Sequence, residues 1–167
     1  APDAAERVIA LWPKLALDFG SSRRVDLDRL TKAEIAGWKA GDRLLLTGKL
    51  LTGRDAAHKR IVDMLARGEK LPVDFTNRFI YYVGPVDAVR DEAVGPAGPT
   101  TSSRMDRFTD TMLAKTGLVG MVGEAERGPA ALEAIAHPGA GSCIAVGGGG
   151  YLVSKSIKAA RVLAFEE

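Results

Sequence analysis

The sequence predicts a single α/β domain over residues 1–167, built as a layered sheet with flanking helices. Apolar runs typical of strands alternate with segments of helical periodicity, and this order favours an α/β arrangement. Hydrophobic residues make up 46% of the chain and charged residues 26%, which is ordinary for a globular protein. A chain of 167 residues can bury a sizeable core in one domain. Since several strands precede or separate few helices, we expect a layered domain and not a barrel.

The first part of the chain predicts a strand followed by a helix. Residues 1–40 have the weakest pattern, and we interpret them as a partly helical lead-in. Residues 42–51, DRLLLTGKLL, form a β-like apolar run that Gly48 interrupts. A helix is predicted within 52–68, because apolar residues recur there at helical spacing until Gly68 ends the pattern.

The middle of the chain predicts a strand, a helix and another strand. Residues 78–86, RFIYYVGPV, are rich in aromatic and β-branched residues and end at the turn Gly84-Pro85. Residues 105–117, MDRFTDTMLAKTG, place their large apolar side chains on one side of a helix that Gly117 ends. Residues 118–123 form a short apolar run, which we interpret as a buried strand.

The last part of the chain predicts two more helices between strands. Residues 128–137 indicate a helix with Pro129 in its first turn. Residues 142–167 predict a strand, a glycine run, a short helix and a last strand. The run VGGGGY at 146–151 lacks both the dinucleotide and the P-loop spacing, so it indicates a close backbone approach or a helix start. We interpret His137, beside a proline, as a capping or surface residue.

Charge and composition exclude several classes of function. The net charge of +2, without a dense Lys/Arg tract, argues against a nucleic-acid partner. No apolar run approaches the roughly 20 residues that a membrane helix needs. The single cysteine, Cys143, forms no internal disulfide and holds no metal cluster alone, which favours a core role and a reducing, cytoplasmic compartment. The chain begins without Met or a signal pattern, as expected of a piece of a longer protein.

Two arginine motifs are the strongest candidates for a binding site. In LLTGRDAAHK, Arg54 and His58 are four residues apart, and a helix starting near Gly53 would place them on one face. Arg54 would then lie at the positive end of the helix dipole, where backbone N–H groups favour an anion. The alternative is a plain helix start with exposed charges, in which Asp55 is only a cap.

The second motif is GPTTSSRMD at 98–106, a turn followed by four hydroxyl residues and Arg104. Thr100 and Arg104 share a face if the helix begins at or before Thr100. The other hydroxyls are candidate N-caps, and a capping helix start is the alternative reading; they are Thr101, Ser102 and Ser103. Together the two motifs offer two arginines and a hydroxyl at helix starts. That set suits a small dianion, because each arginine can bind a carboxylate through two parallel hydrogen bonds.

These motifs resemble the C-terminal, β-subunit-type domain of the class I fumarases, the iron–sulfur hydro-lyase family that includes L-tartrate dehydratase. The resemblance covers nearly everything from about residue 25 to the end. The matching segments are GDRLLLTGKLLTGRDAAHKRI, LP at 71–72, IYYVGPV, GPTTSSRMD, MVGEAERGPAA and AVGGGGYLVSKSIKAARVLAFEE.

The resemblance implies a swivelling β/β/α domain with a mixed sheet that closes over a larger, cluster-bearing N-terminal domain or α-subunit. Family members reversibly hydrate fumarate to L-malate, a tricarboxylic acid cycle reaction, and a [4Fe–4S] cluster acts as Lewis acid. The cluster's cysteines belong to the missing domain, so we expect this chain to bind no cofactor or metal itself. We also expect a homodimer in the intact enzyme, and no activity from this chain alone.

The resemblance also assigns roles to individual residues. Arg54 and Arg104 match arginines that hold the dicarboxylate, and Thr100 matches the residue proposed as catalytic base. Glu124 occupies the place of a family lysine that helps bind substrate. Reversing the sign of one such contact is worth on the order of several kcal/mol at 4 Å. Either Arg127 or Lys155 compensates, the alignment slips, or the site is impaired.

Three functions therefore follow from the sequence. The first is the substrate-binding domain of a fumarase-type hydro-lyase. The second is the corresponding domain of an L-tartrate dehydratase, which differs in accommodating an extra hydroxyl. The third is a non-catalytic anion-binding or interaction module that kept the fold, an alternative that Glu124 favours.

Overall fold

The computed structural model describes residues 20–88, 91–145 and 150–166. Residues 1–19 of the predicted lead-in and most of the glycine run, residues 146–149, lie outside the described residues. The strands are β1 (Arg23–Asp26), β2 (Leu44–Thr47), β3 (Leu51–Thr52), β4 (Phe79–Tyr81), β5 (Gly120–Gly123) and β6 (Gly141–Ile144). The helices are α1 (Lys32–Ala36), α2 (Asp55–Ala66), α3 (Asp106–Thr116), α4 (Pro129–Ala136) and α5 (Gly150–Ser156), with a 3₁₀ turn at Ser102–Met105.

Two parallel sheets form the framework of the described part of the chain. β1 pairs with β2, and a four-stranded sheet has the order β3-β4-β5-β6. All four described pairings are parallel, so the layered α/β class is confirmed but the sheets are parallel and not mixed. Parallel neighbours need crossover connections, and here α2, the segment containing α3, and α4 supply them in sequence order.

The four-stranded sheet is buried on both faces, which gives three layers. Alternate residues of β4 point to opposite sides: Ile80 packs with residues of α2, α3 and α4, whereas Phe79 and Tyr81 pack with residues of β1 and α1. One core therefore lies between the sheet and the three crossover helices, and the other lies between the sheet and the β1-β2 layer. The order of layers is helix, sheet, sheet.

Glycines in the sheet make room for an aromatic side chain of the second core. A Cβ at Gly120 of β5 would lie 2.1 Å from the Phe79 ring, and one at Gly141 of β6 would lie 2.9 Å from it. The ring of Phe79 therefore covers both glycines and also contacts Trp38, with ring centroids 6.0 Å apart. These strands need glycine because a side chain there would displace a fully buried ring.

Several predicted elements are confirmed. The helices α2, α3 and α4 lie within the predicted ranges 52–68, 105–117 and 128–137. Gly117 adopts a left-handed φ of 78° at the end of α3, and Pro129 is at the start of α4. Gly150 confirms the interpretation of the end of the glycine run, because it starts α5 and packs closely on Gly98.

The predicted break at Gly48 is confirmed: its φ is 113°, and strands β2 and β3 lie on either side of it, although they belong to different sheets. Two other predictions were wrong. Strand β1 lies where only a partly helical lead-in was expected. The predicted last strand is absent from the described tail, in which residues 157–166 have no regular structure.

Several large apolar side chains of the described residues are exposed. Ile144 at the end of the edge strand β6, and Tyr151 and Leu152 in α5, are each more than 60% exposed. None of the helices described here is long and apolar enough to cross a membrane. The exposed residues place apolar surface near the carboxyl end of β6.

Candidate functional site at the carboxyl edge of the sheet

The predicted site residues lie at one edge of the four-stranded sheet. Because its strands are parallel, their carboxyl ends meet at this edge, which is where open α/β sheets bind ligands. Arg54 follows β3 after one intervening glycine, and Glu124 follows β5 directly. The edge thus brings together residues that are 70 positions apart in the chain.

The segment that begins at Thr100 bridges the ends of β4 and β5. The Thr100 N–H donates to the Tyr82 carbonyl at 2.7 Å, and the Glu124 N–H donates to the Thr100 carbonyl at 3.1 Å. The Ser102 N–H donates in turn to the Glu124 carbonyl at 2.7 Å. These bonds fix the backbone of Thr100 directly beside Glu124.

Gly123 permits this close approach. A Cβ at Gly123 would lie 2.1 Å from the Ser102 hydroxyl oxygen and 2.8 Å from the Tyr82 ring. The Ser102 side chain is buried in that space, 3% exposed. The hydroxyl segment therefore packs against the end of β5 only because β5 ends in glycine.

The predicted capping role of the hydroxyls is wrong. The 3₁₀ turn Ser102–Met105 intervenes before α3, and neither Thr101 before the turn nor Met105 before the helix makes a side-chain capping bond. Because the hydroxyl residues lie in or before the turn, none of them is at the N-cap of α3, which is Met105. Thr100 also precedes the turn, so the predicted shared helix face of Thr100 and Arg104 is wrong.

Arg104 forms a two-point ion pair with Asp55 in the first turn of α2. Its Nε donates to one Asp55 oxygen at 3.1 Å, and its Nη2 lies 2.9 Å from the other. Partial burial acts to raise the pKa of Asp55, but the hydrogen bond from Arg104 and the charges of Arg104 and Arg54 hold it below its usual value. The pair occupies the side of the guanidinium that contains Nε and leaves the outer Nη1–Nη2 edge for a ligand.

Arg54 lies at the N-cap of α2 and extends over Gly84. Its backbone is extended, at φ −119° and ψ −156°, so Arg54 is outside the helix and its side chain is exposed. A Cβ at Gly84 would lie 3.0 Å from Cζ and Nε of Arg54. The predicted shared face of Arg54 and His58 is therefore wrong, because His58 is in the helix and buried.

His58 lies in the core beneath Arg54, 1% exposed. Its Nδ1 donates to the Arg54 carbonyl, 2.8 Å away, and its ring contacts Tyr82 edge-on with centroids 5.3 Å apart. Burial lowers the pKa of His58 below its usual value. The imidazole is therefore neutral at pH 7.

Arg127 is not available to a ligand, which rules it out as the compensating base beside Glu124. Its side chain is 4% exposed, and its Nε lies 2.7 Å from Asp106 Oδ1 as an ion pair without hydrogen-bond alignment. The guanidinium also donates to the Tyr82 hydroxyl at 3.1 Å and to the Thr109 hydroxyl. No periodic pattern predicts this network, because Tyr82 follows β4, Asp106 and Thr109 lie in α3, and Arg127 precedes α4.

Lys155 remains a candidate for that compensation. It lies in α5 with its ammonium 4.4 Å from the centroid of the Tyr151 ring. The start of α5 contacts the site segment, since the Ala97 N–H donates to the Gly150 carbonyl at 3.1 Å. The ammonium is exposed and joins no ion pair among the described residues.

The residues present do not fit an iron–sulfur cluster. Such clusters take several cysteine thiolates, whereas this chain has one cysteine. Cys143 is half-buried in β6, and burial raises its pKa to about 11. Within the described residues, no group of three His, Cys, Asp or Glu side chains lies close enough to hold a metal ion.

Comparison with known proteins identifies similar chains. The family model described as Fumarase C-terminus matches residues 3–167. The "Putative L(+)-tartrate dehydratase subunit beta" of Methanocaldococcus jannaschii is 35% identical over 133 residues, which cover 78% of this chain and 68% of that protein. The "Fumarate hydratase class I, aerobic" of Escherichia coli K12 is 32% identical over 152 residues, which cover 89% of this chain and 28% of that protein. "Fumarate hydratase 2" of Leishmania major is 32% identical over 151 residues, or 88% of this chain and 27% of that protein. The chain thus spans less than a third of the length of these two fumarate hydratases.

Proposed function

The chain belongs to the Fumarase C-terminus family, and we propose that it is the substrate-binding part of a hydro-lyase that reversibly hydrates fumarate to L-malate. The observation that carries this proposal is the gathering of Arg54, Thr100 and Arg104 at the carboxyl edge of one parallel sheet. Two guanidinium groups beside one hydroxyl suit a substrate with two carboxylates and a reactive carbon between them.

The two arginines bind the two carboxylates in different ways. Arg54 is exposed at the positive end of α2, and no ion pair involves it among the described residues. Arg104 is held by Asp55, so only its outer edge meets the substrate. We therefore assign to Arg54 a contact made by a guanidinium that no described ion pair occupies, and to Arg104 a contact made by a guanidinium already oriented by Asp55.

Thr100 is the proposed base in the direction of dehydration. As its alkoxide, Thr100 accepts the proton from the carbon next to a carboxylate. The C–H electron pair forms the double bond, and the hydroxyl group leaves the neighbouring carbon as water, protonated by a general acid of the partner. A threonine hydroxyl is a weak base in water and needs strong local activation. No hydrogen bond to the Thr100 hydroxyl occurs among the described residues, so we assign its activation to the partner.

The partner is a cluster-bearing N-terminal domain or α-subunit. It supplies the [4Fe–4S] cluster and the general acid, because this chain lacks the cysteines for a cluster. The apolar surface of Ile144, Tyr151 and Leu152 near the same end of the sheet supports such a partner. We place the assembled enzyme in the cytoplasm, as a homodimer serving the tricarboxylic acid cycle.

An anaerobic assay tests this function. Fumarate hydration is measured with the isolated chain, with the cluster-bearing partner alone, and with both. Activity only in the mixture, and its loss in Arg54→Met and Arg104→Met variants that still fold, is the expected result. Turnover by the isolated chain would refute this division of roles.

A second candidate is L-tartrate dehydration. The Methanocaldococcus jannaschii relative favours it, since that protein is by its name a subunit beta and this chain covers 68% of it. The same assembled enzyme is given malate and L-tartrate at equal concentrations. A higher kcat/KM for tartrate would assign the second function in place of the first.

A further inference from the structure

We propose that His58 is a positioning residue that fixes both sides of the dicarboxylate site from the core beneath it. This inference rests on the proposed function, since it concerns how Arg54 and Thr100 are held. His58 is only 1% exposed, so it acts through the residues it contacts.

The first contact fixes the backbone of Arg54. A carbonyl oxygen only accepts hydrogen bonds, so the 2.8 Å contact between His58 Nδ1 and the Arg54 carbonyl places the proton on Nδ1. The His58 backbone N–H donates to the same carbonyl at 3.0 Å. The Arg54 carbonyl therefore has two donors, which hold this non-helical N-cap residue where its side chain extends over Gly84.

The second contact reaches Thr100 through Tyr82. The imidazole meets the Tyr82 ring edge-on, at an interplanar angle of 73°. The Tyr82 carbonyl accepts the Thr100 N–H at 2.7 Å, and the Tyr82 N–H donates to Val122 in β5 at 2.8 Å. One buried ring is thus linked to the Arg54 side and to the Thr100 side of the site.

The unpaired nitrogen of His58 argues against a purely packing role. With the proton on Nδ1, Nε2 is an acceptor, and it has no hydrogen-bond partner among the described residues. Leaving a buried acceptor unpaired costs free energy that a phenylalanine of similar shape would not incur. The contact that offsets this cost is the hydrogen bond from Nδ1–H to the Arg54 carbonyl.

Two substitutions separate positioning from packing. His58→Phe keeps a ring against Tyr82 but removes the donor. His58→Asn keeps a donor near the place of Nδ1 but removes the ring. Kd for fumarate and L-malate is measured by NMR titration of the full chain, and Tm by circular dichroism.

We expect His58→Phe to keep or raise Tm and to weaken dicarboxylate binding about tenfold. We expect His58→Asn to lower Tm and to bind within about threefold of the wild type. If affinity instead follows Tm across both variants, His58 is only a packing residue and the proposal is overturned.

The tautomer gives a readout that does not depend on the ligand. Nitrogen-15 chemical shifts of His58 must show the proton on Nδ1, and a proton on Nε2 would overturn the proposal. Failure of the wild-type chain to bind either diacid contradicts the proposed substrate site, whereas normal binding by His58→Phe contradicts only the role of His58.

Discussion

Replacing Gly84 with alanine is expected to weaken substrate binding without loss of stability. The added Cβ would lie 3.0 Å from both Cζ and Nε of Arg54, and 3.3 Å from its Nη1. Ordinary contacts of this kind are about 3.5–4.0 Å, so the guanidinium has to move by roughly 0.5–1 Å. Arg54 is exposed, and its flexible end yields to the methyl group at little cost to folding.

The size of the effect follows from that displacement. A shift of about 1 Å in a positioning group can cost up to about 100-fold, so half of that shift predicts roughly a tenfold increase in Kd, or ~1.4 kcal/mol. The φ of Gly84 lies outside the left-handed region, so alanine fits its backbone. Its smaller unfolded-state entropy then stabilises the fold by about 0.4–1 kcal/mol.

Titration with fumarate and urea unfolding of the same samples measure both quantities. Gly98→Ala is the matched control, because its Cβ would meet only Gly150 at 3.7 Å, an ordinary contact. Unchanged affinity in Gly84→Ala would show that the position of the Arg54 guanidinium does not matter to binding. Equal weakening in Gly98→Ala would instead indicate a general disturbance of this edge.

Three further outcomes follow from the site. Glu124→Lys is expected to lower Kd for fumarate by at least tenfold, and Glu124→Gln by less, in the same titration, because a repulsive charge becomes attractive. Arg127→Met is expected to lower the free energy of unfolding by about 3 kcal/mol in urea, since it leaves Asp106 without its buried partner. The free energy of unfolding is also expected to fall as the pH drops below 6.5. Burial and the nearby Arg127 lower the pKa of His58 in the folded state, although the charge of Asp55 opposes them. The unfolded chain therefore binds a proton at His58 that the folded chain does not, and this favours unfolding. Urea unfolding at pH 6.5 and 5 measures this loss, which is expected to shrink in His58→Phe and to persist in His137→Asn.

Local patterns predicted the helices because each carries its own periodic signal. The apolar side of α3 and the glycine that ends it lie within one continuous segment of sequence, and so do α4 and the proline at its start. Strand β1 gives no such signal, since only Val25 of its four residues is buried. The break at Gly48 was predicted, but an apolar run does not reveal that β2 and β3 on its two sides belong to different sheets.

The prediction of a last strand was wrong for a related reason. Residues after α5 have the composition of a strand, but no sheet edge receives them in the described structure. Phe165 instead lies under the Arg60 guanidinium, 4.2 Å from it. Strand propensity needs a partner strand to take effect, and that partner is a property of the whole fold.

The sequence singled out the candidate residues, whereas it did not reveal their pairings. Two motifs proposed Arg54, Thr100 and Arg104 as candidates, and their place at one edge follows from the parallel order of the sheet. The Arg104–Asp55 pair joins residues 49 positions apart on different elements. Neither helical spacing nor strand alternation relates such residues, so only the packing of the 3₁₀ turn on α2 reveals it.

The charges at this edge nearly cancel, which bears on how a dianion is attracted to it. Arg54 and Arg104 are matched by Asp55 and Glu124, and Arg127 is buried in its own ion pair. A site of two cations and two carboxylates attracts a dicarboxylate only weakly at long range. We therefore expect additional positive charge to come from Lys155 or from the proposed partner. If the partner supplies this charge, Glu124→Lys raises the affinity for the dicarboxylate more in the isolated chain than in the assembled enzyme. If Lys155 supplies it, Glu124→Lys raises that affinity equally in both, and Lys155→Met lowers it.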